Sequence, residues 1–425
     1  MKIARILSSV TLALGLMLAP TAASSVSDGP RRLAGGNAAC GSQRVRKAWV
    51  DMSSGEQSLY VQALQEGLKR GIVEDFAAIH VEDLGSDQAH HSALRDMDPK
   101  FACVTLPYYD VHSAYADSAA GKCSSMFDCS PIFNGIGGSP QGSKGSVQVN
   151  GIPADGVVYN GAPFDAMCDD NNQCGLTVRN DLTQRPVPSG AGFTTFMDLV
   201  TRSQDFATFL EGIQFGLHND VHNAIGGIMT TFASPRDVVF YSWHSAIDMF
   251  LHVYHTCRFG VPVTEAQAQS SLEAFSQAFQ SCGGITGVDA NTKIVMRIRY
   301  NGQMIDAADH PTLGKYLAYV GDVMGQYGDI TKLDDYSYTY QVSSIYQKRL
   351  LGNKNICKQP HWLLSSHIAS NGAPLYTTPS AGMPFTCTEP FEPCGLPPMP
   401  LKIGEQSNML LHLPAAESAY AECTS

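Results

Sequence analysis

The chain is poor in charged residues and has no block of like charges. Only 16% of its 425 residues are charged, and the formal net charge is −11 at pH 7. Domains that bind nucleic acids carry clustered Lys and Arg side chains that neutralise phosphates. The composition therefore argues against a nucleic-acid partner. The apolar share of 44% is ordinary for a folded protein, so the chain is not expected to be disordered as a whole.

Long hydrophobic runs are also scarce. One apolar run covers residues 6–19, follows a basic start, and precedes small residues at 21–23. It is short for a bilayer span and typical of a secretory signal peptide. The later apolar segment 238–254 is interrupted by two histidines and an aspartate. The sequence predicts a secreted, extracellular protein that has a signal peptide over 1–23 and no membrane association after its cleavage.

The sequence has no Cys-x-x-Cys pair, although it contains 12 cysteines. This absence excludes a zinc ribbon. An even number of cysteines in a secreted protein predicts disulfide bonds. The close pairs Cys123/Cys129 and Cys168/Cys174 either close small loops or each bond elsewhere, and their spacing leaves both arrangements open.

No internal repeat or low-complexity tract divides the chain. We predict a signal peptide over 1–23, a leader over 24–39, a main domain over 40–350, and a Cys/Pro-rich, loop-rich C-terminal extension over 351–425. Within the main domain, residues 113–190 are rich in Gly, Ser, Asn and Pro. This composition predicts a long irregular insertion that disulfides pin in place, because unpinned loops of that length are uncommon.

Elsewhere the main domain shows helical periodicity. Ser53 and Glu56 match a capping box that opens the first helix, and Gly71 is expected to end it. Further helical stretches are predicted over residues 73–80, 193–208, 218–231, 237–256, 264–279 and 313–325. The pattern predicts a mainly α fold.

Two of these helical stretches carry histidines at ligand spacing. His218 and His222 are four residues apart, so a helix places both imidazoles on one face. Asn219 stands where a zinc protease has its glutamate, which excludes that motif. His244 adds a third imidazole from the next helix, and Asp248 lies one turn later, where a carboxylate can orient the helix. Three imidazoles without a thiolate suit copper or zinc, whereas the alternative is a set of buried core histidines.

The surrounding pattern is more specific than the histidines alone. It consists of His218-x-x-x-His222, Gly226-Gly227-x-Met229, Ser234-Pro235-x-Asp237, Phe240 and His244-x-x-x-Asp248. This pattern resembles the second copper motif of tyrosinases and related polyphenol oxidases. The resemblance extends over about residues 40–350 through Arg46-x-x-Trp49, Cys103 to Asp110, and Tyr336-Ser337-Tyr338. Two departures are Trp243, where many relatives have a further histidine, and Val238, which replaces a usual proline.

The resemblance implies a tyrosinase-like four-helix bundle that holds two copper ions about 4 Å apart, each bound by three histidines. It further implies a small phenolic substrate and O2, with phenols or o-diphenols oxidised to o-quinones. His218, His222 and His244 are then ligands of the second copper. Glu211 and Asn219 resemble the pair that holds a water able to take the phenol proton, although Glu211 also fits a solvated helix residue.

The first copper motif is only partly present. By resemblance, His80 and His90 match its first two ligands. In relatives, an aromatic-Trp-His-Arg helix follows and carries the third ligand, but here His91 and Ser92 run directly into residues 93–99, which resemble the far end of that helix. Most of one helix is missing, and His91 is poorly placed to substitute because adjacent side chains point apart. The sequence predicts a tyrosinase-like oxidase with impaired turnover, or a non-catalytic copper-binding or scaffold member of the family.

Overall fold

The computed structural model describes the central part of the chain. The described residues are 40, 44–82, 87–203, 206–259, 296–317, 330–331, 333 and 336–343, without the side chains at 81–82, 87–89, 91, 206–207 and 258–259. The predicted signal peptide, leader, C-terminal extension and helix over 264–279 lie outside these residues, as does most of the helix predicted over 313–325.

Helices form most of the described structure, which confirms the mainly α fold. The α-helices are α1 (Ser54–Lys69), α2 (Ile72–Glu82), α3 (Asp87–Asp96), α4 (Val111–Ala119), α5 (Met126–Cys129), α6 (Pro131–Ile136), α7 (Phe193–Arg202), α8 (Phe206–Gly212), α9 (Asn219–Ile225), α10 (Val239–Phe259) and α11 (Gly314–Leu317). A π-helical turn, Ile213–His218, joins α8 to α9. No helix in this described part is both long and apolar enough to cross a membrane.

Seven short strands accompany the described helices. They are β1 (Arg44–Lys47), β2 (Ser139–Val149), β3 (Ile152–Asn160), β4 (Leu176–Arg179), β5 (Arg297–Tyr300), β6 (Gln303–Asp306) and β7 (Tyr338–Gln341). β1 and β7 form a parallel pair, β2, β3 and β4 form an antiparallel sheet in that order, and β5 and β6 form a hairpin.

The first helix begins and ends as its sequence predicts. The Ser53 hydroxyl accepts a hydrogen bond from the Glu56 backbone N–H at 3.3 Å, and the Glu56 carboxylate accepts one from the Ser53 N–H at 2.8 Å. The two bonds satisfy backbone donors that a helix start otherwise leaves unpaired. α1 ends at Lys69, and Gly71 follows with a φ of 71°, which only glycine adopts without strain.

The prediction of an irregular insertion over 113–190 is wrong in part. The disulfides Cys123–Cys129 and Cys168–Cys174 do close small loops there. However, β2, β3 and β4 form an ordered sheet within this region. Asn150 and Gly151, with φ angles of 51° and 77°, make the two-residue turn between β2 and β3. An Asn-Gly pair between apolar residues is a strong hairpin signal, and the Gly- and Ser-rich composition concealed it.

Two helices are also shorter than their periodicity predicts. The stretch over 193–208 breaks at Ser203, between α7 and α8. The stretch over 218–231 ends at Ile225, because Gly226 and Gly227 have φ angles of 69° and 57°. At Gly227 a Cβ atom would lie 2.1 Å from the Val178 carbonyl oxygen, so the chain needs glycine for a close approach as well as for its backbone angle.

α10 is the central helix of the main core, and two charged clusters fix it. Before its start, Asp237 caps the Val239 N–H at 3.1 Å and accepts two bonds from the buried Arg179, at 2.6 and 2.7 Å. In its middle, Asp248 accepts hydrogen bonds from the Tyr338 and Tyr340 hydroxyls at 2.6 and 2.5 Å. The Arg46 guanidinium lies 3.3 Å from the same carboxylate. These contacts attach α10 to β4 and to the β1–β7 pair.

Candidate metal centre

Three buried histidines meet at one point of the helical core. One ring nitrogen from each of His218, His222 and His244 lies within 4.8 Å of the others. The Nε2 atoms of His222 and His244 are 3.2 Å apart. Two bonds of about 2 Å that meet at a tetrahedral angle separate their donor atoms by roughly 3.3 Å. The spacing of this pair therefore fits two ligands of a single metal ion.

Helix geometry explains why these three side chains converge. His218 ends the π-helical turn and His222 follows four residues later on α9, so their rings lie on one face with centroids 4.5 Å apart. His244 approaches from α10, and its ring stacks on Phe240 at a centroid distance of 4.0 Å. Each histidine is 2% exposed, so the centre is shielded from water.

Hydrogen bonds at Nδ1 fix the orientation of two of these rings. His222 donates from Nδ1 to the Met229 carbonyl oxygen at 2.6 Å. The Nδ1 of His218 lies 3.0 Å from the Asn219 side-chain oxygen. Because carbonyl and amide oxygens only accept, Nδ1 carries the proton in both rings and Nε2 keeps its lone pair for a ligand.

Burial keeps the His218 and His222 imidazoles neutral. It lowers the pKa of His222 to about 4 and lowers the pKa of His218 well below its ordinary value. A histidine binds a metal ion only in its neutral form. The site therefore presents neutral nitrogen donors at physiological pH without having to release protons first.

His80 lies beside the three-histidine centre and is not part of it. It is buried on α2 and donates from Nδ1 to the Phe232 carbonyl oxygen at 2.5 Å. Burial, with a smaller contribution from the neighbouring His222, lowers its pKa to about 3. Its ring meets the edge of Phe240 at a centroid distance of 5.3 Å, and Phe240 stacks on His244, so His80 lies near the centre. The structure thus brings one predicted ligand of the first motif towards the second motif.

His90 is in a different environment. It is fully buried on α3, where its ring stacks on Tyr241 at a centroid distance of 3.6 Å and meets the edge of Phe76. Neither ring nitrogen has a hydrogen-bond partner among the described residues, and burial lowers its pKa to about 3. The helix runs unbroken across the junction at residues 91–93, while the His91 side chain lies outside the described residues.

The same part of the chain matches known proteins. Residues 75–256 match the family model of the common central domain of tyrosinase. This match supports the resemblance to tyrosinases over that segment. The tyrosinase of Streptomyces glaucescens is 28% identical to the chain over 233 residues, which cover 48% of this chain and 80% of that relative. All five predicted histidine ligands lie within the matched tyrosinase segment, and the three imidazoles of the metal centre fit the copper that the family implies.

The two residues predicted to hold a water, Glu211 and Asn219, lie in different environments. Asn219 is buried beside His218, as described above. Glu211 is exposed on α8, and the π-helical turn separates the two residues. A π-helical turn changes the angular relation between the helices that it joins. The role of Glu211 stays a prediction, whereas Asn219 is placed to orient a ligand ring.

Sequence reasoning missed several groups that shape the site. The carbonyl oxygens of Met229 and Phe232 hold histidine rings, and backbone acceptors have no signature in a sequence. The Tyr241 ring covers His90. The Gln214 carbonyl is a further hydrogen-bond acceptor for His218. This contact depends on the π-helical turn, which helical periodicity does not reveal.

Proposed function

We propose that the chain is a secreted copper oxidoreductase that oxidises phenols or o-diphenols to o-quinones with O2. The observation that carries this proposal is the buried group of His218, His222 and His244 inside a tyrosinase central domain. The tyrosinase relative supports the phenolic substrate class through its name. The signal peptide predicted over 1–23 supports secretion.

In this proposal copper supplies the exchange of electrons between the phenol and O2. The three histidines present nitrogen donors in a buried space, and Asn219 holds the His218 ring by its Nδ1. His222 keeps its proton on Nδ1, so the hydrogen in its 3.2 Å contact with His244 belongs to the His244 Nε2. To act as a ligand through Nε2, His244 must carry its proton on Nδ1 instead, and this exchange leaves its charge unchanged.

We further propose that turnover is low because the first motif is incomplete. It supplies His80 and His90, whose rings are both buried but differ in surroundings and partners. Two imidazoles hold copper less firmly than three. The second candidate function, copper binding without turnover, is favoured by the position of His90 between Tyr241 and Phe76.

An insertion variant separates the two candidates. A helix with the aromatic-Trp-His-Arg pattern is inserted between His91 and Ser92, and oxygen uptake with catechol is compared between this variant and the natural chain after copper loading. We expect little uptake by the natural chain and clear uptake by the variant. The same insertion carrying His222→Ala serves as the control and should be inactive. A folded, copper-loaded insertion variant that stays inactive would contradict the oxidase proposal.

A further inference from the structure

Two histidines from different copper motifs donate to one short segment of chain. We name residues 226–237, between α9 and α10, the carbonyl segment. His222 of α9 donates its Nδ1–H to the Met229 carbonyl at 2.6 Å, and His80 of α2 donates its Nδ1–H to the Phe232 carbonyl at 2.5 Å. His80 and Phe232 are 152 positions apart in the sequence. The position of one segment therefore determines the tautomer and aim of both rings.

The carbonyl segment is held on the β2–β4 sheet. Ile228 and Ala233 are fully buried in a small apolar cluster whose other buried members, Val147, Val149, Ala154 and Val178, come from the three strands. Turn hydrogen bonds stiffen the segment, including Ser234 N–H to the Thr231 carbonyl at 3.0 Å. The insertion between α6 and α7 thus supports the carbonyls that orient the histidines.

Arg236 connects this segment to the helix that carries His80. Its side chain is 3% exposed, and its Nε atom lies 3.7 Å from a Glu74 carboxylate oxygen on α2. Its Nη2 donates to the Cys168 carbonyl oxygen, next to the Cys168–Cys174 disulfide. Glu74 and His80 are on the same helix. A buried guanidinium with these two partners resists displacement, because moving it away would leave its charge unpaired in the core.

We propose that Arg236 is a positioning residue for His80. Through Glu74 and the Cys168 carbonyl, it holds α2 against the carbonyl segment, so that His80 donates to Phe232 and its ring stays next to Phe240, beside the three-histidine centre. The reason for positioning His80 in this way rests on the proposed copper function. The hydrogen bond itself is a property of the metal-free protein, so the test needs neither copper nor turnover.

The experiment is ¹H–¹⁵N NMR of the metal-free, full-length chain labelled with ¹⁵N-histidine. His80, His222 and His112 should all show protonated Nδ1, since His112 donates from Nδ1 to the Ala191 carbonyl at 2.6 Å. In Arg236→Met we expect the His80 Nδ1–H signal to shift or disappear while the His112 and His222 signals stay. Arg236→Lys, which keeps the charge opposite Glu74, should retain the His80 signal better than Arg236→Met does.

A surface pair supplies the matched control. Arg70 lies 2.7 Å from Glu66 with its side chain 46% exposed, and Arg70→Met should leave all three histidine signals in place. If Arg236→Met does not fold, Glu74→Gln decides, because it removes only the carboxylate charge. A change confined to His80 supports the proposal. An unchanged His80 signal, or equal changes at all three histidines, overturns it. Failure to bind copper would instead contradict the proposed function and would leave this result unaffected.

Discussion

At the scale of single residues, the metal centre depends on three buried imidazoles whose ring nitrogens lie within 4.8 Å of one another. His222 contributes most, because its Nδ1 donates to the Met229 carbonyl and its Nε2 faces the Nε2 of His244. We predict that His222→Ala abolishes copper binding at the centre. The affinity should fall by more than the roughly 10–100-fold typical of losing an outer-shell partner of a ligand. Copper titration of the metal-free protein measures this, with His252→Ala as the control on α10.

His112 supports a separate prediction about pH. It is fully buried and donates to Ala191, and burial lowers its pKa to about 4. Because the pKa of the unfolded chain is higher, about 6.5, the unfolded state binds the proton first as the pH falls. The stabilising contribution is complete above pH of about 6.5 and is lost as the pH falls towards 4.

We therefore expect the metal-free protein to lose about 1 kcal/mol of unfolding free energy from this residue between pH 7.5 and 5.5. In His112→Phe, the number of protons taken up on unfolding in this pH range should be smaller by about one, so the unfolding free energy should depend less on pH. This holds even though the Ala191 carbonyl loses its donor. Urea unfolding at several pH values measures the slope. A slope that the substitution leaves unchanged would show that His112 is not buried in neutral form.

At the scale of secondary-structure elements, the site depends on how α10 is held. Asp248 accepts two tyrosine hydroxyls and faces Arg46, whose guanidinium also lies 3.8 Å from the centre of the Tyr338 ring. We predict that Asp248→Asn destabilises the protein by about 3 kcal/mol, because Arg46 remains buried without its counter-ion. Asp198→Asn breaks an exposed pair with Arg202, and should cost less than about 1 kcal/mol. Chemical denaturation of both variants measures the difference, and equal effects would contradict this role for Asp248.

The elements also show how far the sequence could predict the structure. The capping box at Ser53 and the start of α10 after Asp237 follow local rules, and so they were predictable. The β2–β3 hairpin was missed although its Asn-Gly turn is a local signal, since the strands are too polar to show a clear alternation. The break at Ser203 and the π-helical turn before His218 come from packing between helices, and periodicity along one chain does not record such packing.

At the scale of the whole molecule, the disulfides bear on the proposed secretion. Three disulfides join pairs of described residues, Cys40–Cys103, Cys123–Cys129 and Cys168–Cys174, and Cys257 is also disulfide-bonded. Disulfides persist in oxidising compartments, which agrees with the proposed secretion. We predict that thiol titration of the denatured, unreduced protein secreted from cells finds few free thiols among the 12 cysteines. The N-terminus of that protein should begin near Ala23 or Ser24. Mostly reduced cysteines would contradict this account.

The spatial relation between the two copper motifs could be predicted only in part. Resemblance indicated that His218, His222 and His244 belong together, and the structure places them together. It could not show that His80 shares a supporting segment with His222, because that relation runs through backbone carbonyls of the chain between α9 and α10. Nor could it show that His90 stacks on Tyr241, a contact that depends on the packing of α3 against α10.

The central claim is that the chain has one complete copper centre and one incomplete centre. The most direct test measures copper per folded chain and catechol oxidation on the same purified sample. We expect about one tightly held copper per chain, consistent with the one three-histidine centre found among the described residues, together with little oxidation of catechol. Two tightly held coppers per chain with rapid catechol turnover would contradict the claim and would make His91 the third ligand of the first centre.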